Sequence, residues 1–368
     1  MSKKILFVSG ARPNIIKLAP LYKRFSKEKK DICKILHSNQ HSNQYLYKKI
    51  YKDLNLPNPD FIVRKFNTNN NINLLSYFMK NISKIIKKFR PDLIILFGDV
   101  DTTLAAGIVA KKSGIDLFHI ESGLRSNDSK AQEEINRRLV DHLANINFAT
   151  TKKSIVNLEK ENLGSKSYFV GNIIFDNYFF LKDKIHSSVI LKKLNIEKKK
   201  YILITIHRYQ TINNKQILNK LIKILNFIAK DIKIVFACHS RTKKKLNLYN
   251  LFKNINKNIK IIEPLPYTDF TKLLLSSKLI ITDSGGVHEE AFFHKINCFV
   301  LRDEIERKEF LYKNYITQIT LKNLLKKVKI ALMRRKNSFN KSKSLYWDGK
   351  VSERIYKIYK TKYADKIY

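Results

Sequence analysis

The sequence predicts an α/β protein of two similar domains that face each other across a cleft. Short apolar runs recur along the chain, and each is followed by a polar cluster and then by a segment with helical spacing. Continuous apolar runs that alternate with helices are typical of parallel strands in βαβ units, because such strands are buried on both faces. The length of 368 residues also exceeds one ordinary hydrophobic core and suits two domains.

Eight apolar runs are predicted to be strands. In chain order they are KKILFVSG, DICKILHSN, PDLIILFGD, DLFHIES, KYILITIHR, IKIVFACHS, KLIITDSGG and NCFVLRDE. The first set of strands ends near INFATT and the second begins at Tyr201, so we place the domain boundary between residues 172 and 173. Residues 173–351 then form the second domain, and a final helix starts at about Ser352.

Composition places the chain among soluble globular proteins. The hydrophobic fraction is 44% and the charged fraction is 28%. No stretch approaches the ~20 apolar residues that span a bilayer, and the start reads as a first strand and not as a signal peptide. The cysteines, Cys33, Cys238 and Cys298, lack the paired spacing of a zinc site or a disulfide framework. We therefore expect a cytoplasmic protein with no metal and no membrane partner.

The net charge of +41, from 72 basic and 31 acidic residues, raises the alternative of a nucleic-acid binder. The lysines are spread along the whole chain among many Ile and Asn residues, which favours a solvated surface over a binding patch. No zinc finger, helix-turn-helix or RNA-binding aromatic motif accompanies the charge. We expect no nucleic-acid partner.

Charged or polar residues follow the carboxyl ends of seven of the apolar runs. They are Arg12, Asp99, Glu121, His207, His239, Ser284 and Arg302. Ligands of open parallel sheets bind in the crevice outside the carboxyl ends of the strands. Scattered polar residues have no reason to select that end repeatedly, so this pattern predicts an enzyme.

Each of these residues also has a structural explanation. Arg12 and Lys17 lie near a helix that Pro13 can begin, where they either bind an anion or act as surface cations. A role as helix cap explains Asp99, but it does not explain Glu121 at the end of an apolar strand. An ion pair between Glu121 and Arg125 is the structural alternative there.

The segment QEEINRRLVDHLANI has a structural interpretation as good as a functional one. Glu133 with Arg137, and Glu134 with Arg138, form i,i+4 pairs worth about 0.2–0.5 kcal/mol each.

The apolar residues of that segment, Ile135, Leu139 and Leu143, fall on one helical face. In TIHRYQ and CHSRT a histidine stands beside an arginine at a strand terminus, which fits anion binding or acid–base work as well as packing.

The stretch IITDSGGVHEEAF combines a strand, two glycines and a helix that we expect to begin with Glu289 and Glu290. A glycine turn at a helix N-terminus binds phosphate through free backbone N–H groups and the helix dipole. Two carboxylates on the first turn would repel that anion. Either no phosphate binds, or the glutamates hold another part of the ligand.

Together these residues resemble the non-hydrolysing UDP-N-acetylglucosamine 2-epimerases of cell-surface polysaccharide synthesis. The strings that carry the resemblance are GARPNIIKLAP, GDVDTTLAAGIVAKKSGI, HIESGLRS, EEINRRLVDHL, GNIIFD, TIHR, PLPYTDFTKLL, TDSGGVHEEA, LRDEIERKE and WDGKVSERI. They run in order from about residue 4 to 357. The resemblance implies two Rossmann-like domains of the GT-B type in a homodimer, with residues 1–172 completed by a C-terminal helix at 352–368.

The resemblance also implies a reaction and a set of roles. The family inverts C2 of UDP-GlcNAc to give UDP-ManNAc by eliminating UDP to 2-acetamidoglucal and adding it back, without a cofactor. The implied catalytic residues are Asp99, Glu121, Glu133, Arg137 and His207. The implied UDP-sugar contacts are Arg12, Lys17, His239, Ser284, Gly285, Gly286, Glu290 and Arg302. Glu290 would meet the ribose hydroxyls, while Ser284 and the glycines face the diphosphate.

Several positions depart from the family pattern. Gln132 replaces a proline, the pair Gln210 and Thr211 replaces an acidic–asparagine pair, and His288 replaces a glutamine. These changes leave the sugar substituents open, with UDP-2,3-diacetamido-2,3-dideoxy-glucuronate as the alternative substrate. A hydrolysing epimerase and a GT-B glycosyltransferase are less favoured.

Some members of the family bind a second, regulatory UDP-GlcNAc through a glutamine–histidine pair. Gln40 and His41 occupy those positions in this sequence and are a candidate regulatory site.

Overall fold

The computed structural model describes residues 2–38, 44–64, 66, 68, 70–126, 128–302, 310, 311, 315–333 and 346–364. The candidate regulatory residues Gln40 and His41 lie outside these ranges. The chain divides into two compact units, Met1–Lys182 with Ser342–Tyr368, and Asp183–Lys341. Each unit contains a parallel β-sheet with helices between its strands. The predicted α/β class with two Rossmann-like domains is thereby confirmed.

The helices and strands follow one another in an almost regular alternation. They are β1 Lys4–Ser9, α1 Arg12–Ser26, β2 Ile32–Ser38, α2 Gln44–Asp53, β3 Phe61–Val63, α3 Asn71–Phe89, β4 Leu93–Phe97, α4 Asp101–Lys112, β5 Asp116–Ser122, α5 Gln132–Leu143, β6 Ile146–Ala149, α6 Lys152–Lys160, β7 Ser167–Phe169, α7 Ile174–Phe180, α8 Lys182–Ser187, α9 Ile190–Lys193, β8 Tyr201–Thr205, α10 Tyr209–Ile212, α11 Lys215–Ile228, β9 Lys233–Ala237, α12 Ser240–Leu248, β10 Ile259–Ile262, α13 Tyr267–Ser276, β11 Leu279–Thr282, α14 Gly285–Phe293, β12 Cys298–Leu301, β13 Ile316–Ile319, α15 Leu324–Met333 and α16 Val351–Tyr359.

Both sheets are parallel throughout and reverse their strand order at one point. The first sheet has the order β3-β2-β1-β4-β5-β6-β7, and the second has the order β10-β9-β8-β11-β12-β13. The order reverses between β1 and β4 in the first sheet and between β8 and β11 in the second. Such switch points open a crevice at the carboxyl ends of the strands, which is where ligands of these folds bind.

All eight predicted strands are present, β6 is the INFATT segment at which the first set of strands was predicted to end, and the four strands that the sequence did not reveal lie at the sheet edges. β3 and β7 are the edges of the first sheet, and β10 and β13 are the edges of the second. Each is only three or four residues long and is partly exposed. Short edge strands lack the continuous apolar run of a strand that is buried on both faces.

The C-terminal helix α16 packs on α1 in the first unit. The rings of Tyr356 and Tyr359 each lie 4.9 Å from the ring of Phe25. The buried carboxylate of Asp176 accepts hydrogen bonds from the backbone N–H of Val351 at 3.2 Å and of Ser352 at 2.7 Å. These contacts satisfy N–H groups at the start of α16, which have no partner within the helix.

Helix α5 reverses the usual orientation of an amphipathic helix. The apolar residues Ile135 and Leu139 are 39% and 47% exposed, whereas Glu134, Arg137 and Asp141 are at most 5% exposed. Two of the three residues of the predicted apolar face are therefore turned outward, whereas the third, Leu143, packs against the core. The charged face packs at the carboxyl ends of β4 and β5, where ion pairs and hydrogen bonds satisfy it.

The helices within the described ranges do not combine the length and the hydropathy that crossing a bilayer requires.

A buried polar cluster joins β1, β2 and α2. The His37 ring is fully buried, with Nδ1 3.0 Å from Ser9 Oγ, and Ser9 Oγ lies 3.1 Å from the Tyr51 hydroxyl. Burial lowers the pKa of His37 from its ordinary 6.5 to about 4, because it removes water from the charged form. His37 is therefore neutral in the folded protein at neutral pH.

We expect His37 to make the protein sensitive to acid. Between pH 6.5 and about 4 the unfolded chain binds a proton at this residue and the folded chain does not, so stability present above pH 6.5 is lost as pH falls. The largest loss from this group is about 3 kcal/mol. Urea unfolding across that range should show a shallower pH dependence for His37→Gln, while the exposed-residue control His142→Gln should follow the wild type. Equal slopes for all three proteins would contradict the expectation.

Candidate active site

The carboxyl ends of three neighbouring strands bring the first group of predicted residues together. Arg12, Asp99 and Glu121 lie at the ends of β1, β4 and β5, which are adjacent in the first sheet. Asn14 ties this edge together, because its Nδ2 donates to Phe97 O at 2.6 Å and its Oδ1 accepts from Ala11 N at 2.8 Å. The first turn of α1 is thereby fixed against the end of β4.

A buried ion pair joins two residues that the sequence assigned to separate roles. Lys17 Nζ pairs with Glu121 Oε2, and the side chains are only 9% and 8% exposed. Both groups lie close to the turn at Gly98, since a Cβ added there would be 3.4 Å from Lys17 Nζ and 3.3 Å from Glu121 Oε2. The alternative pairing of Glu121 with Arg125 is wrong. Arg125 instead contacts Asp141 and Glu161, on elements that follow β5.

A second ion pair links Asp99 to α5. Asp99 Oδ2 pairs with Arg137, whose other terminal nitrogen donates to Glu134 at 2.9 Å. Asp99 does not cap α4, because the N-cap position there is Val100. Of the two predicted i,i+4 pairs, the Glu134–Arg138 pair is confirmed at 2.8 Å.

The other predicted i,i+4 pair, between Glu133 and Arg137, is wrong. The exposed Glu133 side chain has no hydrogen bond or ion pair to any part of the chain that the structure describes. Glu133 lies on the first turn of α5, one turn before Arg137. Its carboxylate is exposed to a ligand in a way that the buried Glu134 is not.

In the second unit, Asp283 holds the turn that carries His207. The fully buried Asp283 carboxylate accepts from the backbone N–H of His207 at 2.9 Å and of Arg208 at 2.8 Å. The His207 Nδ1 atom lies 3.2 Å from the same carboxylate. Because Nδ1 faces Asp283, Nε2 is the ring nitrogen that can serve a substrate.

His239 lies beside His207 and has a structural role as well. Its ring centroid is 6.1 Å from that of His207, so the predicted pair of strand-end histidines is brought together. His239 Nδ1 accepts from Arg241 N at 3.3 Å and thereby caps α12. Its Nε2 therefore carries the proton and can donate to an anion.

The glycine turn after β11 is arranged for an anion, and the predicted start of the following helix is wrong. Helix α14 begins at Gly285, with Ser284 as its N-cap, and carries no acidic residue in its first turn. Glu289 and Glu290 lie in the second turn, so the repulsion expected from the sequence does not arise at the helix N-terminus. The free N–H groups there belong to Gly285 and Gly286, as an anion site requires.

Arg302 adds a cation to this turn. A Cβ on Gly285 would lie 3.7 Å from a terminal nitrogen of Arg302. Arg302 follows β12, the neighbour of β11, and is 6% exposed. A Cβ on Gly286 would meet nothing of the described chain within 4 Å, so the space above that residue is open.

Four positioning residues carried no assigned role in the sequence interpretation. They are Asn14, His119, Asp141 and Asp283. The signal that was available for them is a polar residue inside a run that is otherwise buried, as for His119 in DLFHIES. Their partners are distant in sequence, so only the tertiary structure identifies them.

Two doubly wound parallel sheets with charged residues gathered at the strand ends are typical of an α/β enzyme. The model of the family UDP-N-acetylglucosamine 2-epimerase matches residues 23–360. The chain is 36% identical over 366 residues to a UDP-N-acetylglucosamine 2-epimerase of Methanocaldococcus jannaschii, with 96% of this chain and 98% of the relative covered. It is 30% identical over 312 residues to a UDP-2,3-diacetamido-2,3-dideoxy-D-glucuronate 2-epimerase of Pseudomonas aeruginosa, with 84% and 86% covered.

A solved structure agrees with these relatives. The crystal structure of the M. jannaschii UDP-GlcNAc 2-epimerase in complex with UDP-GlcNAc and UDP has a TM-score of 0.87 to this chain at 35% identity. The comparison covers 97% of this chain and 99% of that chain. This chain therefore belongs to the UDP-N-acetylglucosamine 2-epimerase family and is an isomerase. The predicted family, fold class and enzyme class are confirmed.

We expect the Lys17–Glu121 pair to be strongly coupled in stability. Lys17→Met leaves the buried Glu121 carboxylate without this cation and should cost about 3–5 kcal/mol, as breaking one side of a buried pair does. The double variant K17M/E121Q should recover part of that loss, because both charges are then gone. Urea unfolding of the wild type, K17M, E121Q and the K17M/E121Q double variant gives the coupling energy between the two residues.

The exposed pair Glu197–Lys200 supplies the control for that experiment. Its side chains are 71% and 70% exposed, so Lys200→Met should leave the unfolding curve unchanged. Losses that simply add in the K17M/E121Q double variant would show that the two residues are not coupled.

Proposed function

We propose that this isomerase is a non-hydrolysing UDP-N-acetylglucosamine 2-epimerase that interconverts UDP-GlcNAc and UDP-ManNAc for cell-surface polysaccharide precursors. The observation that carries the proposal is the paired set of charges at the ends of β4 and β5, in a chain of this family. Asp99 and Glu121 each lie against a cation, at the edge of the sheet where ligands of this fold bind.

The reaction needs proton transfer at C2 and retention of UDP. The C2 proton of the sugar is not next to a carbonyl, so direct abstraction is unfavourable. A base instead removes this proton as the bond from C1 to the UDP oxygen breaks, on opposite faces of the ring, and a double bond forms between C1 and C2. Reprotonation at C2 from the other face and return of UDP to C1 give the epimer. The numbers of protons and electrons balance without a cofactor.

The residues of the first unit are proposed to carry the proton transfers. Asp99, Glu121 and Glu133 are the acid–base carboxylates, since carboxylates can both accept and donate at C2. The exposed position of Glu133 and the ion-paired position of Glu121 give these carboxylates different environments. Carboxylates in different environments differ in how readily they bind a proton, so one can act as the acid and another as the base. Arg137 orients Asp99 and adds positive charge for the leaving group.

The residues of the second unit are proposed to hold UDP. The helix N-terminus at Ser284, Gly285 and Gly286 faces the diphosphate, with Arg302 beside it. His239 offers its Nε2–H group to the same anion, and the His207 ring lies beside it with Nε2 turned away from Asp283.

Three further contacts to UDP are proposed. Arg12 adds a cation at the start of α1, and Lys17 lies one turn further along that helix. Glu290, in the second turn of α14, accepts hydrogen bonds from the ribose hydroxyls. Its position beyond the first turn keeps its charge away from the diphosphate.

A second substrate is supported by one relative. The P. aeruginosa enzyme is a UDP-2,3-diacetamido-2,3-dideoxy-D-glucuronate 2-epimerase, and it is 30% identical to this chain. The same elimination at C2 serves that sugar, which differs from GlcNAc at C3 and C6. It is therefore the alternative substrate.

We also propose a cytoplasmic homodimer. The exposed apolar residues Ile135 and Leu139 lie one turn apart on α5, opposite its buried charged face. Burial of such a pair against a second copy would remove apolar surface from water, which is favourable. A cytoplasmic location fits a nucleotide-sugar substrate and the three free cysteines.

Epimerisation in D2O tests the proposed reaction. We expect UDP-GlcNAc to give UDP-ManNAc with deuterium at C2 and the total of UDP-sugars conserved, as followed by sugar and phosphorus NMR. Asp99→Asn and Glu133→Gln should each lower kcat by roughly 10²–10⁴, the range of one acid–base group. The exposed-residue control Glu197→Gln should keep the wild-type rate.

The other outcomes of that experiment are informative in different ways. Free ManNAc with an equal amount of UDP would mean a hydrolysing enzyme. If UDP-GlcNAc is unchanged and UDP-2,3-diacetamido-2,3-dideoxy-glucuronate is epimerised, the alternative substrate is correct. No reaction with either sugar would refute the proposed function.

Substitution on α5 tests the dimer. We expect wild-type protein to sediment as a dimer at micromolar concentration and Leu139→Lys to sediment as a monomer, because a buried lysine at the interface would lose its hydration. Leu248→Lys is the control, since Leu248 is 67% exposed on another helix. A monomeric wild type would refute the dimer, and a dimeric Leu139→Lys would place its interface elsewhere.

A further inference from the structure

We infer that His119 and Asp141 form a buried imidazolium–carboxylate pair that positions the two turns carrying Asp99 and Glu121. The inference rests on the proposed function, because it assigns these residues a part in the same reaction. Both side chains are fully buried and lie behind the strand ends. They act through the backbone of the two turns and not on the substrate, so they are positioning residues.

The hydrogen bonds of His119 specify its protonation state. Nδ1 lies 2.7 Å from Asp141 Oδ1, and Nε2 lies 2.9 Å from the carbonyl oxygen of Gly98. A carbonyl oxygen only accepts, so Nε2 must carry a proton. A carboxylate also only accepts, so Nδ1 carries one as well when Asp141 is ionised.

The surroundings of Asp141 favour its ionised form. Its Oδ2 accepts from the backbone N–H of Gly123 at 3.0 Å and from Arg125 at 2.7 Å. Burial opposes ionisation, but the hydrogen bond and charge of His119 together with Arg125 outweigh it and hold the pKa of Asp141 below its ordinary value. With Asp141 ionised, His119 is an imidazolium.

The pair holds the turn before Asp99. Gly98 has a φ of +65°, a backbone conformation that glycine adopts without strain. Its carbonyl accepts from His119, and its N–H donates to Ile120 O at 3.1 Å. Both polar groups of Gly98 are therefore tied to β5, and the direction in which the chain enters Asp99 is fixed.

The pair also holds the turn after Glu121. Glu121 has a φ of +73°, which is unfavourable for a residue with a side chain. The register of β5 with β6 shifts between Ile120 and Ser122, so Glu121 lies at a bulge. The next glycine, Gly123, has a φ of +76° and donates its N–H to Asp141. Such strain persists where the surroundings enforce it, and it is concentrated at functional sites.

Other charged groups surround the pair and are themselves paired. Arg125, which binds Oδ2 of Asp141, also binds Glu161 through two contacts of 2.7 Å and 2.5 Å. Lys166, before β7, donates to the carbonyls of His142 and Ala144 at the end of α5. Lys17 pairs with Glu121 at the bulge. His119 is thus the cation that links Asp141 to the end of β4.

Nitrogen-15 NMR of the histidine rings tests the protonation state without any need for activity. Protein labelled with ring-¹⁵N histidine should show, near pH 7, one ring with both nitrogens protonated that disappears in His119→Gln. In Asp141→Asn one nitrogen of that ring should lose its proton. A His119 ring with one unprotonated nitrogen in the wild type would overturn the inference.

Kinetics of epimerisation tests the positioning role. Asp141→Asn and His119→Gln should lower kcat by about 10²-fold, the effect of a small misplacement of reacting groups. The Kd for UDP should change much less than kcat, because most of the proposed UDP contacts, including the helix N-terminus at Ser284, lie in the second unit. Rates are compared below the unfolding midpoint of each variant, as checked by circular dichroism.

Asp176→Asn is the matched control. Asp176 is also fully buried and also accepts backbone N–H bonds, at the start of α16. It should lower stability and leave kcat unchanged. An active wild type with an Asp141→Asn variant of unchanged kcat would overturn the positioning role. A wild type that is inactive on both UDP-sugars, with a doubly protonated His119, would refute the proposed function and leave the ion pair established.

Discussion

Two fully buried carboxylates, Asp141 and Asp283, organise the strand ends on which the candidate active site is built. Each accepts a backbone N–H from a turn that follows a strand, and each faces the Nδ1 atom of a histidine. A buried charge that lacks such donors is strongly destabilising, so the chain must supply all of them at once. The turns are consequently held in one conformation, and this fixes the positions of the residues that they carry.

This arrangement explains why α5 is turned with its charges inward. Arg137 and Asp141 lie on one face of the helix and reach the ends of β4 and β5. The apolar residues Ile135 and Leu139 are left on the opposite face. Ordinary helix amphipathicity would place the apolar face against the sheet. Here the ion pairs outweigh it, and the exposed apolar face becomes available to another surface.

Much of the fold could be predicted from the sequence, because buried parallel strands leave a distinctive pattern. Every long apolar run became a strand of one of the two sheets. The edge strands could not be found, because β3 and β7 are three residues long and partly exposed. The start of α14 was placed four residues late, because Gly285 and Gly286 have low helix propensity while the helix nevertheless begins there.

The candidate site was predicted less completely than the fold. The sequence correctly placed these residues at the strand ends. This was possible because the carboxyl edge of a parallel sheet brings such residues together whichever side chains they pair with. The ion-pair partners of these residues were not identified correctly. The sequence suggested that Glu121 pairs with Arg125, four residues away, but Glu121 pairs with Lys17, which is 104 residues away. Sequence spacing suggests partners only among residues that are close in the chain. For the same reason the predicted ion pair between Glu133 and Arg137 was wrong.

The sequence by itself determined the two-domain α/β class, the strand ends that carry chemistry, and the resemblance to the epimerase family. These follow from the order of apolar and polar residues, which a chain carries before it folds. The tertiary structure alone decided which charges are buried, which cation meets which carboxylate, and that His119 lies between Gly98 and Asp141. These depend on contacts between distant segments, and a buried charge accepts only the partners that the packed sheet brings within hydrogen-bonding distance.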